Sequence, residues 1–396
     1  MWKTAAALLA SCALSASAEG AAPRCDLAAA DAAGAGAGCQ RAWMDRNLKL
    51  NDLLTVGTHN SYKTEPPDAV LALVRAAAPD RADELDYGHR PLSEQLDAGA
   101  RQLEIDVYYD PEGGRFLDPI GLHAAGLALD PARRAALAEP GFKVMHVQDI
   151  DVLSSCVTLR ACLGAVRRWS LGHPDHAPIL LMFNAKADRT QAPGGVDALP
   201  FDAAAFDALD REVRAVFPPS ALITPDDVQG RYRTLRQAVL HGAWPALGQA
   251  RGKVLFALDE EPATVAIYRG KRRSLEGRVF FINTDERSPA AAYLTLNDPV
   301  EGAKRIRKAV AAGFIVRTRA DSGTLEARRN DTRRREAALA SGAQFVSTDY
   351  LWTEPQLHND YQVRLPGGAA VLCNPVRAAG GGGRMRTPSG VASGDR

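Results

Sequence analysis

His59 and Asn60 stand side by side in TVGTHNSYK (55–63), directly after the apolar run Leu53-Leu54-Thr55-Val56. An apolar run ended by an imidazole and an amide reads as a buried strand that presents both groups at one opening. Three further runs end in a similar way. RQLEIDVYY (101–109) carries Glu104 and Asp106 two residues apart, hence on one face of a strand. KVMHV (143–147) carries His146, with Gln148, Asp149 and Asp151 close behind. PILLMFNA (178–185) ends in Asn184, and Lys186 follows two residues on. Later run ends add Asp259-Glu260-Glu261, Asp285-Glu286, Arg317, Arg319 and Asp321, and Asp349.

Two histidines suit a base and an acid working near neutral pH. Two carboxylates and an amide oxygen suit a hard cation such as Ca2+ or Mg2+. Such a cation, with Lys186 or an arginine such as Arg319, would stabilise phosphoryl charge. Together these groups describe an acid–base phosphodiester site. The plainer alternative for Glu104 and Asp106 is a pair neutralised by arginines or lysines, because an uncompensated charged pair inside a strand is costly. His89, His173, His176, His241 and His358 sit in loop-like or helical contexts and are set aside, with His123 in GLHAAG intermediate. No G-x-S-x-G elbow is present, which argues against an α/β-hydrolase.

The elements that would hold these residues alternate. Strand candidates lie at 53–57, 101–109, 143–147, 178–185, 253–258, 279–284, 313–319 and 343–348, with helical patterns between most of them. Most are continuous apolar runs, as expected of strands in a parallel sheet covered on both faces. Eight such strands with helices between them predict an α/β fold, a single (β/α)8 TIM-type barrel over 49–366. An open doubly wound sheet is second, since no G-x-G-x-x-G or Walker-type loop follows a strand. Residues 19–48 are rich in Ala and Gly, and 374–396 in Gly, Arg and Ser; both are expected to bury little.

The 396 residues carry 48 basic and 47 acidic side chains, and this balance gives no signature of nucleic-acid binding. Lys3, the apolar stretch Ala5–Leu14 and Ala16-Ser17-Ala18 read as a secretory signal (1–18) cut after Ala18. The rival is lipid attachment at Cys12 in LASC. The expected destination is secreted or periplasmic. No later segment reaches membrane-spanning length, so the mature chain is expected to be a soluble or peripheral monomer. Five cysteines remain after cleavage. Cys25–Cys39 and Cys156–Cys162 are the local pairings, and Cys39–Cys373 is a third option.

THNSY, SEQLDAGARQLEIDVYYD, VMHVQDID and PILLMFNAK, in this order, resemble the bacterial calcium-dependent phosphoinositide phospholipase C-like proteins, with FVSTDYL in support. The resemblance spans most of residues 50–350. It implies a phosphatidylinositol phosphodiesterase barrel acting on a phospholipid or inositol phosphodiester. It also implies His59 and His146 as catalytic residues, with Asn60, Glu104 and Asp106 as calcium ligands. Asn184 stands where members of the wider superfamily place a further glutamate, and Asp149 or Asp151 could complete the shell instead. The resemblance further implies attack by the inositol 2-hydroxyl, release of diacylglycerol and a cyclic inositol phosphate. Two alternatives remain: a glycerophosphodiester or sphingomyelin-type barrel phosphodiesterase, and a non-catalytic secreted binding protein.

Overall fold

The computed structural model describes residues 25–36, 38–190 and 192–380. The signal segment 1–18, the Cys12 alternative and residues 381–396 lie outside the described residues. Eight parallel strands form the barrel: β1 Leu53–Thr58, β2 Gln102–Tyr108, β3 Ile179–Lys186, β4 Val254–Leu258, β5 Phe280–Ile282, β6 Tyr293–Thr295, β7 Ile315–Arg319 and β8 Phe345–Thr348. Each pairs with its neighbours in chain order, and β1 pairs with β8 to close the ring. The seam between β5 and β6 is thin, held by one parallel bridge, Asn283 to Tyr293.

One strand assignment changes. The run 143–147 contributes only Lys143–Val144, antiparallel to the end of β2, and His146 lies beyond it in a loop. Asp151 O accepts from His146 N and from Val147 N and curls that loop back on itself. The eighth barrel strand is β6, whose three residues are too short to announce themselves as a periodic run.

Alternation within β2 explains how the barrel holds charge. Leu103, Ile105 and Val107 join the hydrophobic core, whereas Glu104 and Asp106 take the opposite face. Arg317 on β7 reaches Glu104 on β2, and these strands are not neighbours, so the contact crosses the lumen. Also inside the lumen, Tyr293 Oη lies 3.0 Å from Met182 Sδ, so the barrel is filled rather than open. Helices cover the outside. Leu159–Gly172 and Ala203–Val216 are capped by Thr158 and Asp202, whose side chains accept from Ala161 N and Ala205 N.

The described parts of both flanking segments are more ordered than their composition suggests. The helix Gln40–Asn47 buries Trp43, and the disulfide Cys25–Cys39 ties down the preceding loop. Cys156–Cys162 is the second bridge, and Cys373 is a free thiol. The stretch expected to be loose from residue 374 starts docked. Asn374 is fully buried and donates to Leu53 O and Gly342 O, and Arg377 pairs with Asp52.

Candidate active site

The THNSY turn is stitched to β2 before any chemistry is considered. Ser61 N donates to Glu104 O at 3.0 Å, and Glu104 N donates to Ser61 Oγ at 2.8 Å. Thr58 Oγ1 meets Ser61 Oγ and Gln95 Oε1, each at 2.6 Å. Gly57 permits this closeness, since a Cβ there would lie 2.3 Å from Gln102 O. Asn60 takes a left-handed φ of 47°, a conformation that asparagine tolerates better than most residues.

His59 sits at the end of β1 with its ring held on both nitrogens. Nδ1 is 2.7 Å from Asp349 Oδ1 and 3.2 Å from Tyr87 Oη, while Nε2 is 3.2 Å from an Arg319 nitrogen and 3.5 Å from Glu104 Oε1. Burial and then the Arg319 charge push its pKa down to about 3, against the pull of Asp349. The imidazole is therefore neutral at physiological pH. With Nδ1–H given to the carboxylate, Nε2 is the proton acceptor. Arg319 also pairs with Asp349 Oδ2 at 2.8 Å, which fixes that carboxylate from its far side.

His146 repeats the arrangement from the other wall. Its Nδ1 is 2.8 Å from Asp151 Oδ2, which Lys63 Nζ approaches at 3.3 Å. Tyr108 Oη donates to His146 O at 3.1 Å. His146, Gln148 and Lys186 line a groove of about 840 Å³ together with the apolar Val70, Leu73, Val74 and Ala77 from the helix Asp68–Ala77.

The acidic pair lies between these walls. Glu104 Oε2 meets Arg317 at 2.5 Å, and Asp106 Oδ2 meets Lys186 Nζ at 3.2 Å. Asn184 Nδ2 is 3.2 Å from Glu104 Oε1 and 3.3 Å from Asp106 Oδ1. Neutralisation by a barrel arginine and a lysine is thus partly realised. It is incomplete: burial, with Asp106 adding to it, pushes the Glu104 carboxyl up to about 8 despite the guanidinium on its other oxygen. Among the described residues no group of three or more His, Cys, Asp or Glu is arranged to hold a metal. A cation here would need amide oxygens beside the two carboxylates. Asn184 turns its Nδ2, a donor, to both carboxylates, and Asn60 spends Nδ2 on Tyr87 Oη, so a cation here requires the Asn184 amide to reverse and present its oxygen.

The structure thus brings His59, Glu104, Asp106, Asn184, Lys186 and Arg319 into one connected network, and His146 into the groove beside Lys186. Asp149 and Asp151 do not complete a metal shell. Asp149 Oδ2 accepts from Thr190 and Val196 N, and Asp151 serves His146 and Lys63. Sequence reasoning missed Tyr87, Lys63 and His89. His89, set aside as a loop residue, is buried with Nε2 2.7 Å from His59 O, and burial lowers its pKa to about 4. Arg317 was legible as the strand partner of Arg319, two residues away on the same face, and Asp349 as the residue after β8.

The chain matches the family model for Ca2+-dependent phosphoinositide phospholipase C over residues 48–375. Among solved structures, it is similar to a calcium-dependent phosphoinositol-specific phospholipase C from Pseudomonas sp., in its apo and myoinositol-complex study. Identity is 18%, coverage 83% of this chain and 96% of that chain, and the TM-score 0.50. A Ca2+-dependent phosphatidylinositol-specific phospholipase C from Streptomyces antibioticus matches at 18% identity, with 78% and 96% coverage and a TM-score of 0.49. The phosphatidylinositol-specific phospholipase C of Listeria monocytogenes matches at 12% identity, with 80% and 94% coverage and a TM-score of 0.44. No curated protein matches. At 18% identity the Pseudomonas structure speaks for the fold alone. The family model spans nearly the whole barrel, and on that ground the chain belongs to the Ca2+-dependent phosphoinositide phospholipase C family, a family of phosphodiester-cleaving enzymes.

Proposed function

We propose that the protein cleaves the head-group phosphodiester of a phosphatidylinositol-type lipid, with His59 as base and His146 as acid. The observation that carries this reading is the matched pair of imidazole–carboxylate contacts, His59 to Asp349 at 2.7 Å and His146 to Asp151 at 2.8 Å. Each carboxylate fixes a tautomer with Nδ1–H, leaving Nε2 for proton transfer.

In this reading His59 Nε2 takes the proton from the inositol 2-hydroxyl as its oxygen bonds to phosphorus. The bond from phosphorus to the glycerol oxygen breaks, and His146 Nε2–H protonates that oxygen. The products are a cyclic inositol phosphate and diacylglycerol. Arg319 holds Asp349 and faces His59 Nε2, so its charge favours the anionic phosphate at the same point. Asn60, Glu104, Asp106 and Asn184 would hold Ca2+, the amide of Asn184 turning its oxygen inward. Held there, the ion would lower the hydroxyl pKa and balance phosphoryl charge.

The apolar residues that share the groove with His146 support a lipid leaving group there and peripheral contact with a membrane surface. Among the described residues no helix is long and apolar enough to cross a membrane. Export is supported by the Lys3–Ala18 pattern and by two disulfides, which persist in oxidising compartments. The mature chain would begin at Glu19.

The test is an assay of the purified protein on phosphatidylinositol, glycerophosphocholine and sphingomyelin, with and without chelator. Chelator-sensitive cleavage of phosphatidylinositol alone is expected. Preference for glycerophosphocholine or sphingomyelin would replace the substrate, and inertness towards all three would favour a binding protein.

A further inference from the structure

Lys63 closes the HNSYK turn, and its side chain is wholly buried. Its ammonium donates to Leu85 O at 2.8 Å and Tyr87 O at 2.5 Å, and pairs with Asp151 Oδ2 at 3.3 Å. A buried ammonium is expensive to desolvate, and an apolar chain of the same length would fill this channel at less cost. The partners give the charge a purpose. Tyr87 turns its hydroxyl to His59 Nδ1, at 3.2 Å, and accepts there from Asn60 Nδ2 at 2.9 Å. Asp151 uses one and the same oxygen, Oδ2, for Lys63 and for His146 Nδ1, while its Oδ1 is buried with no hydrogen-bond partner among the described residues. Only the ammonium and the imidazole therefore fix the rotation of that carboxylate. The backbone follows the same line: Lys63 forms an antiparallel bridge with Ser154, and Ser155 N donates to Tyr62 O at 2.8 Å.

We propose that Lys63 is a positioning residue that locks the two histidines relative to each other. It holds Tyr87, which touches His59, on one side of a single ammonium, and Asp151, which holds His146, on the other. The inference rests on the reading of His59 and His146 as base and acid. Lys63 touches neither substrate nor reacting atoms. It acts by keeping two proton-transfer groups in one register, where small displacements are costly to rate.

Lys63→Met keeps the unbranched stem, one heavy atom shorter, and removes the charge. In the full chain with calcium present, kcat on phosphatidylinositol should fall about ten- to a hundredfold, as for other supporting partners of a reactive group, with KM little changed. The low-field proton resonance of His146 Nδ1–H, identified by its absence in His146→Ala, should be lost. Should Lys63→Met not fold, Lys63→Ala refolded with propylammonium carries the test: the cation should restore turnover, and 1-propanol should not. A folded Lys63→Met with wild-type kcat and the resonance in place would overturn the inference. So would rescue by propanol equal to rescue by propylammonium, since that marks a volume effect alone. The two readings fail separately. If His59→Ala and His146→Ala stay active, the acid–base reading falls. If they are inactive and Lys63→Met is not impaired, only the role of Lys63 falls.

Discussion

His59 and Asp349 are 290 residues apart in the chain and 2.7 Å apart in space, joined Nδ1 to Oδ1 where the first and last barrel strands pair. Closure of the ring thus builds the setting of the proposed base. The carboxylate is held well below its usual range by Arg319 and His59 although burial opposes it, so it stays ionised throughout the working pH range.

Asp349→Asn keeps the size of this group and removes its charge. The imidazolium formed during turnover loses its counter-charge and the tautomer its anchor, so kcat should fall at least about a hundredfold. Asp349 also raises the pKa of His59 against burial. The acid limb of the kcat/KM profile should therefore lie well below the ordinary histidine range in the wild type, and the variant should move it lower still. Steady-state kinetics from pH 3 to 9 checks both. An unchanged kcat would remove Asp349 from the mechanism.

Calcium affinity should follow the charge in the acidic pair. Asp106→Asn removes one of two carboxylates and should weaken binding about tenfold or more, whereas Asn184→Glu adds a third and should tighten it comparably. Without metal, Asn184→Glu should melt lower than wild type, because three buried carboxylates then share Arg317 and Lys186. Calorimetric titration and thermal melts in EDTA measure the two effects. No binding by wild type would take the cation out of the account.

Stability of the metal-free protein should be flat between about pH 4.5 and 6.5 and fall on both sides. Burial lowers His59 to about 3 and both His89 and His176 to about 4, from an ordinary 6.5. Their contribution is complete above 6.5 and is lost as pH falls, because the unfolded chain takes up those protons first. Burial raises Glu104 to about 8 and Glu260 to about 7 from an ordinary 4.5, and Asp321 to about 7 from an ordinary 3.8. These three act in the opposite sense, with contributions complete below about 4 and lost as pH rises through 7 to 8. Between 4.5 and 6.5 the two trends largely cancel. Thermal melts in EDTA from pH 3.5 to 9 test this, and a midpoint that climbs steadily to pH 9 would contradict it.

Much of the site was legible because strand periodicity places Glu104 and Asp106 on one face and Arg317 and Arg319 on another, and the barrel turns both faces inward. The errors have local causes. An apolar run at 143–147 carries the composition of a strand, but its backbone pairs for only two residues before the turn to Asp151 takes over. The strand Tyr293–Thr295 is only three residues long, too short for a period to show. Tyr87, His89 and Lys63 belong to the connection between β1 and β2, where no repeating pattern marks which side chains turn inward. Their role depends on contacts across the fold, such as Lys63 with Asp151, that spacing along the chain does not encode.

The central claim, that His59 and His146 share one proton-transfer cycle, is tested most directly by turnover on phosphatidylinositol of His59→Ala, His146→Ala and the double variant. Each single change should cost roughly two to four orders of magnitude in kcat with the melting temperature nearly unchanged. The double variant should be scarcely slower than the poorer single one, because residues acting as a unit are non-additive. Wild-type turnover in His146→Ala, or losses that multiply in the double variant, would contradict the account.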